Sequence, residues 1–153
     1  MADCCCPGAT ETTSTFTCAA CQAPGSPVDL LTVKALLTEA ALQRLEPGEY
    51  RFCPVASCEV VYFDRANHTF TSRDLRVPVW QQEPPGRRVI CYCFGENEAD
   101  IRAEVARTGG SAAAERVRRH IAAGRCACEV RNPRGACCLG DVTNAVKHIT
   151  EHG

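Results

Sequence analysis

The chain has 153 residues, with 18 acidic side chains against 17 Lys and Arg, so its net charge is close to zero and its pI is about 6.4. That balance excludes the basic surface on which nucleic-acid binding depends. Thirteen cysteines beside a single Met and a single Trp leave two chemistries open, a disulfide scaffold or metal centres.

Met1-Ala2-Asp3-Cys4-Cys5-Cys6-Pro7 carries neither the basic nor the apolar region of a secretory signal. No run reaches the roughly 20 apolar residues that span a bilayer. These features predict a cytoplasmic protein without membrane insertion, and in the cytosol clustered cysteines hold metal more often than they pair. The odd cysteine count and the adjacent Cys137-Cys138 also fit poorly with a fully paired framework.

Residues 1–17 join Cys4-Cys5-Cys6 to a Thr- and Ser-rich tract, a composition that reads as a flexible tail whose thiols suit a soft ion such as Cu(I). Cys18-Ala19-Ala20-Cys21 follows, and a second pair stands at Cys53-Pro54-Val55-Ala56-Ser57-Cys58. Two spaced pairs on turns have the pattern of a closed four-cysteine zinc site. A thioredoxin-like redox pair is the alternative, but no βαβ unit follows the first pair.

Between the pairs, Val28 to Leu31 reads as a short strand and Val33 to Leu45 as one helix or two short turns. Glu49 to Cys53 and Glu59 to Phe63 read as strands, with the second pair as the knuckle between them. So small a ribbon is expected to lean on its metal for stability. His68 reads as a surface-loop residue, Arg76 to Trp80 as an edge strand because Pro78 cannot donate to an interior ladder, and Gln81 to Arg88 as a linker.

From Ile90 to Asp141 two cysteine clusters flank a helical stretch: Cys91-Tyr92-Cys93 at one end, and Cys126, Cys128, Cys137 and Cys138 at the other. Asn97 to Arg107 and Ala112 to Ala123 have amphipathic spacing, with Asn97 and Ser111 as N-caps and Gly109-Gly110 and Gly124 as stops. Antiparallel packing of these helices brings the two clusters to one end, where gathered thiolates bind soft metal or an iron–sulfur cluster. The basic residues Arg116, Arg118, Arg119 and Arg125 read as a solvated helix face, with docking of an acidic partner as the alternative. A last helix spans Val142 to His152, and His148 and His152 stand one turn apart, a metal-binding spacing; two solvated histidines near the end of the chain are the simpler reading.

The motifs Cys18-Ala-Ala-Cys21, Arg51-Phe-Cys53-Pro54, Cys58-Glu-Val-Val-Tyr-Phe63, Cys91-Tyr-Cys93 and Asn132-Pro-Arg-Gly-Ala-Cys-Cys138, taken in order, resemble the N-terminal domain of CopZ-type copper chaperones. The second half is also similar to the helical [2Fe-2S] domain of bacterioferritin-associated ferredoxins. The resemblance implies an α+β chain made of a tail (1–17), a zinc-ribbon-like β domain (18–80), a linker (81–88) and a helical [2Fe-2S]-binding domain (89–153). It implies zinc on Cys18, Cys21, Cys53 and Cys58, and a cluster on Cys91, Cys93, Cys128 and Cys138, with Cys126 and Cys137 as the competing neighbours. The N-terminus of the helix starting near Glu98 would favour an anionic cluster, and Gly95 and Gly135 would permit close backbone approach.

The CopZ-type copper-binding module carries a Met-x-Cys-x-x-Cys loop, whereas the one Met here is Met1. Copper is then expected to pass through Cys4 to Cys6, through spare cysteines beside the cluster, or through a separate copper-binding domain protein or a copper-transporting ATPase. Three functions follow: a copper or soft-metal metallochaperone whose cluster reduces Cu(II) to Cu(I), a ferredoxin-like electron carrier, or a metal-stabilised scaffold. No phosphate loop, open zinc position or nucleophile with its base points to a hydrolase or transferase, so any enzymatic activity is at most a cluster-based metal reductase.

Overall fold

The computed structural model describes residues 16–152. The chain is α+β, a four-stranded antiparallel sheet followed by helices. Strands β1 (Ser26–Val28), β2 (Tyr50–Phe52), β3 (Val60–Asp64) and β4 (Thr69–Thr71) lie in sequence order across the sheet. Phe52 stands opposite both Ser26 and Tyr62, and Tyr62 opposite Phe70.

Alternation in β2 turns Tyr50 and Phe52 inward and leaves Arg51 half-buried. Val60 to Phe63 of β3 are buried throughout, because a register shift between Val60 and Tyr62 accompanies cover on both sides. One core joins Tyr50, Phe52, Val61, Tyr62 and Phe70 to Val33, Leu36 and Leu37; a separate cluster joins Val60 and Phe63 to Phe16, Cys18, Cys53 and Cys58.

The expected helical stretch between the cysteine pairs is two helices, α1 (Leu30–Leu36) and α2 (Glu39–Leu42), and the strand before it ends at Val28. The break comes at Thr38, whose side chain accepts from the Ala41 N–H at 3.2 Å and caps α2. Arg76 to Trp80 is not an edge strand. Its backbone is taken up by the end of α1: the Arg76 N–H donates to Leu36 O at 2.8 Å and its Nε to Leu37 O at 2.8 Å, while Val79 enters the sheet core. A 3₁₀ turn then runs from Trp80 to Gln82.

In the second half α3 (Glu98–Thr108) and α4 (Ala113–Ala122) both pack on α6 (Leu139–His152), with a one-turn helix α5 (Cys128–Arg131) inside the second cysteine cluster. Asn97 caps α3 by accepting from the Asp100 N–H at 2.9 Å, and Gly109 closes it with φ of 84°. The backbone cap of α4 is Ala112; Ser111 Oγ accepts from the Ala113 N–H at 3.2 Å. Arg116 is half-buried and engaged: it forms paired bonds to Glu96 (2.7 and 3.1 Å) and to Glu104 (3.2 and 3.0 Å), while Arg118 and Arg119 are exposed.

The stretch read as a linker is tied to both sides. Gln82 Nε2 donates to Cys58 O (2.7 Å), and Glu98 accepts from Arg88 and from the Gly86 N–H (3.2 Å). Helix α1 packs against α5, and two tyrosines cross between the halves. Tyr62 donates to Pro133 O at 2.5 Å; Tyr92 accepts from the Trp80 N–H at 2.9 Å and donates to Pro78 O at 2.6 Å. Where the loop after α5 meets α1 only glycine fits at position 135: φ is 69°, and a Cβ would stand 2.9 Å from Thr32 Oγ1.

Candidate metal centres

The first centre is assembled by two turns. The Cys18 to Cys21 turn is closed by bonds between Gln22 N and Cys18 O (2.8 Å) and between Cys18 N and Ala23 O (2.9 Å), and the knuckle between β2 and β3 by Cys58 N to Val55 O (3.1 Å). Phe16, inside the stretch read as a tail, stacks on Phe63 with ring centroids 5.5 Å apart and covers this end of the sheet; residues 1–15, with Cys4 to Cys6, lie outside the described residues.

All four Sγ atoms of Cys18, Cys21, Cys53 and Cys58 lie within 4.8 Å of one another, with Cys18 to Cys58 at 3.8 Å and Cys21 to Cys53 at 3.6 Å. A tetrahedral zinc with bonds of about 2.3 Å sets its sulfurs about 3.8 Å apart. The donor set and its dimensions therefore fit zinc. Backbone N–H groups of Ala23, Val55 and Val60 point at the sulfurs of Cys21, Cys53 and Cys58, the outer contacts that hold thiolates in place. Cys21 is held below the ordinary thiol value chiefly by its Ala23 N–H, whereas burial pushes Cys53 and Cys58 up.

The second centre is built differently. Cys91 and Cys138 are fully buried among Ile90, Ile101, Val117 and Val142, with Cys93 and Cys128 packed at the edge of that core. Cys93 Sγ lies 3.8 Å from Cys128 Sγ and accepts from the Ala127 N–H at 3.2 Å. The Cys138 thiol interacts electrostatically with Cys91 and Cys128, so the four sulfurs are linked in the order Cys93, Cys128, Cys138, Cys91. Among the described residues only the Cys18 set gathers three or more donors within 4.8 Å of one another, so this second set is the more extended. An extended set of four thiols suits two iron atoms better than one ion.

Hydrogen bonding from the Cys138 thiol, working against burial, holds Cys91 below the usual thiol range and brings Cys128 down to about 6. Burial pushes Cys93 up to about 11, and sharing a proton with Cys128 and Cys91 pushes Cys138 far up. The four therefore do not ionise together without added positive charge, which bound metal supplies.

The helix terminus that meets these sulfurs is that of α6. Cys138 is its N-cap, with Val142 N bonded to Cys138 O (2.9 Å), and the Cys138 N–H itself reaches the Cys128 sulfur. The first turn of α3 is occupied instead by Glu98, paired with Arg88.

Of the competing neighbours, Cys126 and Cys137 are half-buried and Cys128 and Cys138 join the set. Sequence reasoning assigned no role to Arg134 or Asn132. Arg134 pairs with Asp141 at 2.7 Å and its charge helps lower Cys128; buried Asn132 bonds Ala136 O (2.9 Å) and the Arg134 N–H (3.0 Å), shaping the loop. Their signal was the Asn132-Pro133-Arg134-Gly135 run itself, which has the composition of a structured turn. His68 is exposed and sits 2.7 Å from Asp64, clear of either set, and His148 and His152 lie near the far end of α6.

Residues 15–76 match the zinc binding domain family zf_CopZ. The structure is similar to the crystal structure of the CopZ N-terminal domain of Archaeoglobus fulgidus, with a TM-score of 0.69 and 30% identity, covering 84% of this chain and 96% of that one. This chain belongs to the CopZ N-terminal domain family. It is also 32% identical over 122 residues to the copper chaperone CopZ of the same organism, an alignment that takes in 79% of this chain and 57% of that relative's length. Residues 15–76 of the family match contain the whole Cys18, Cys21, Cys53 and Cys58 set. No helix among the described residues is long and apolar enough to cross a membrane.

Proposed function

We propose that the chain is a metal-binding accessory protein of the copper metallochaperone type, with a structural zinc on Cys18, Cys21, Cys53 and Cys58 and a redox-active [2Fe-2S] cluster on Cys91, Cys93, Cys128 and Cys138. The observation that carries this reading is the difference in shape between the two thiol sets, one with all four sulfurs mutually within 4.8 Å and the other drawn out. The first leaves no open coordination position and is redox-silent with zinc. A [2Fe-2S] cluster held by the second would, once reduced, supply one electron, the difference between Cu(II) and Cu(I).

The chain's own residues do the rest. Ile90, Ile101 and Val142 exclude water from Cys91 and Cys138. The N–H groups of Ala127 and Cys138 favour negative charge on the Cys93 and Cys128 sulfurs, and Arg134 adds a positive charge beside Cys128. Copper enters the reading through the relative described as a copper chaperone; a copper-transporting ATPase or a separate copper-binding domain protein is the recipient we propose. Clustered cysteines that hold metal suit a reducing compartment, which supports a cytoplasmic location.

Metal analysis of anaerobically purified protein tests this directly: about one zinc and about two irons per chain, with the EPR signal of a reduced [2Fe-2S] centre, are expected. Added Cu(II) should reoxidise the reduced cluster and be recovered as Cu(I). A reducible cluster that leaves Cu(II) untouched marks a plain electron carrier, and colourless, iron-free protein overturns the cluster.

A further inference from the structure

The chain has four histidines. Two are engaged: His68 with Asp64 at 2.7 Å, and His120 stacked on Phe94 with ring centroids 4.2 Å apart and 3.2 Å from Arg125. His148 and His152 differ. They sit one turn apart on the exposed side of α6, and among the described residues neither makes a hydrogen bond or ion pair. Their ring centroids are 4.7 Å apart with the planes at 46°.

Two imidazoles bound side by side to one ion, with metal–nitrogen bonds of about 2.0 Å, have ring centres about 4.5 Å apart. The pair is thus already spaced for chelation, on a helix fixed by the buried Val142 and Ile149. His148 also lines a cavity of about 210 Å³ shared with Trp80, Glu98, Asp141 and Ile90. Ile90 directly precedes Cys91, and Asp141 follows Cys138 by three residues, so this cavity reaches the neighbourhood of the second thiol set. Along α6 itself His148 is ten residues from Cys138, about 15 Å at the helical rise.

We propose that His148 and His152 form a surface binding site for Cu(II). Imidazole nitrogens suit the divalent ion, thiolates suit Cu(I), and Cu(II) stands highest among divalent first-row metals for nitrogen ligands. The site's role as the place where the cupric substrate waits rests on the reductase reading above; the binding itself does not.

The test adds one equivalent of Cu(II) to the full chain, isolated with its metals and oxidised, and reads the frozen sample by EPR. Nitrogen splitting from two imidazoles is expected, lost in His148→Gln and His152→Gln and kept in His68→Gln and His120→Gln. Thiols reduce Cu(II), so retention on immobilised Ni(II), which they do not reduce, is the second readout and should fall in the same two variants only. A copper spectrum and a nickel retention both indifferent to His148→Gln and His152→Gln overturn the site. Iron-free protein with histidine-dependent binding would sink the cluster reading and leave this site standing.

Discussion

The two halves of the molecule stand in opposite relations to their cysteines. In the sheet half the main core, built on Tyr50, Phe52, Tyr62 and Phe70 against Val33 and Leu37, contains no thiol; the cysteines belong to a smaller cluster with Phe16 and Phe63. In the helical half Cys91 and Cys138 are core residues beside Ile101 and Val117. The same residue type is therefore a clasp at one edge of the first half and part of the interior of the second. Aromatic side chains make this difference, because each buries a large apolar area, and the helical half places none among its fully buried members. The aromatic core makes the expectation that the ribbon leans on its metal a question of how far the clasp supports that core, which Cys53→Ser addresses.

If Cys138 is a ligand of the proposed cluster, the largest effect should come from Cys138→Ser, which removes that ligand and places a hydroxyl among apolar neighbours. Complete loss of both irons is expected, together with loss of protection of α3, α4 and α6 in amide exchange, while zinc and the sheet are retained. Native-like protection in an iron-free variant would erase the contrast between the halves. Cys53→Ser is the reciprocal change. It should abolish zinc binding and open only the Phe16 end, leaving the β2 and β3 amides slow; collapse of the whole sheet would show that the clasp holds the core as well.

Much of this was readable in the sequence because much of it is local. Cys18-x2-Cys21 and Cys53-x4-Cys58 each sit on one turn, and Asn97 and Gly109 bracket α3 through bonds made within a few residues. What escaped depends on distant partners. Phe16 is anchored by Phe63, Arg76 by carbonyls at the end of α1, and Arg116 by Glu96 and Glu104, which no periodicity reveals. The positions of Cys128 and Cys138 likewise depend on packing: one opens α5 against α1, the other caps α6.

Beside the packing of α1 on α5, hydrogen bonds of Tyr62 and Tyr92 join the halves. Tyr62→Phe keeps the aromatic ring in the sheet core but leaves buried Pro133 O without its donor, at a cost of about 1–3 kcal/mol. The loss should appear in the melting of the helical half, since Pro133 lies in the loop between Cys128 and Cys138. Loss confined to the sheet half would mean that the bond does nothing for the loop.

The smallest effect separates charge from metal in the acid limb of stability. Glu104 accepts from Arg116, from the Ala112 N–H and from Ser111, which hold its carboxyl well below the ordinary 4.5, at about 2. A carboxyl lowered by folding contributes stability that is complete above about pH 4.5 and lost as pH falls toward about 2. Protonation of the metal-binding thiolates weakens the protein as the pH falls as well, so one acid melt cannot assign the loss. Comparing the parent with Glu104→Gln at matched zinc and iron content does. Arg116 is partly exposed, so the difference near neutral pH should be only about 1 kcal/mol, and it should shrink as the two curves converge below pH 4.5. Parallel curves would mean that the Glu104 carboxylate adds nothing and that the acid sensitivity lies with the thiols alone.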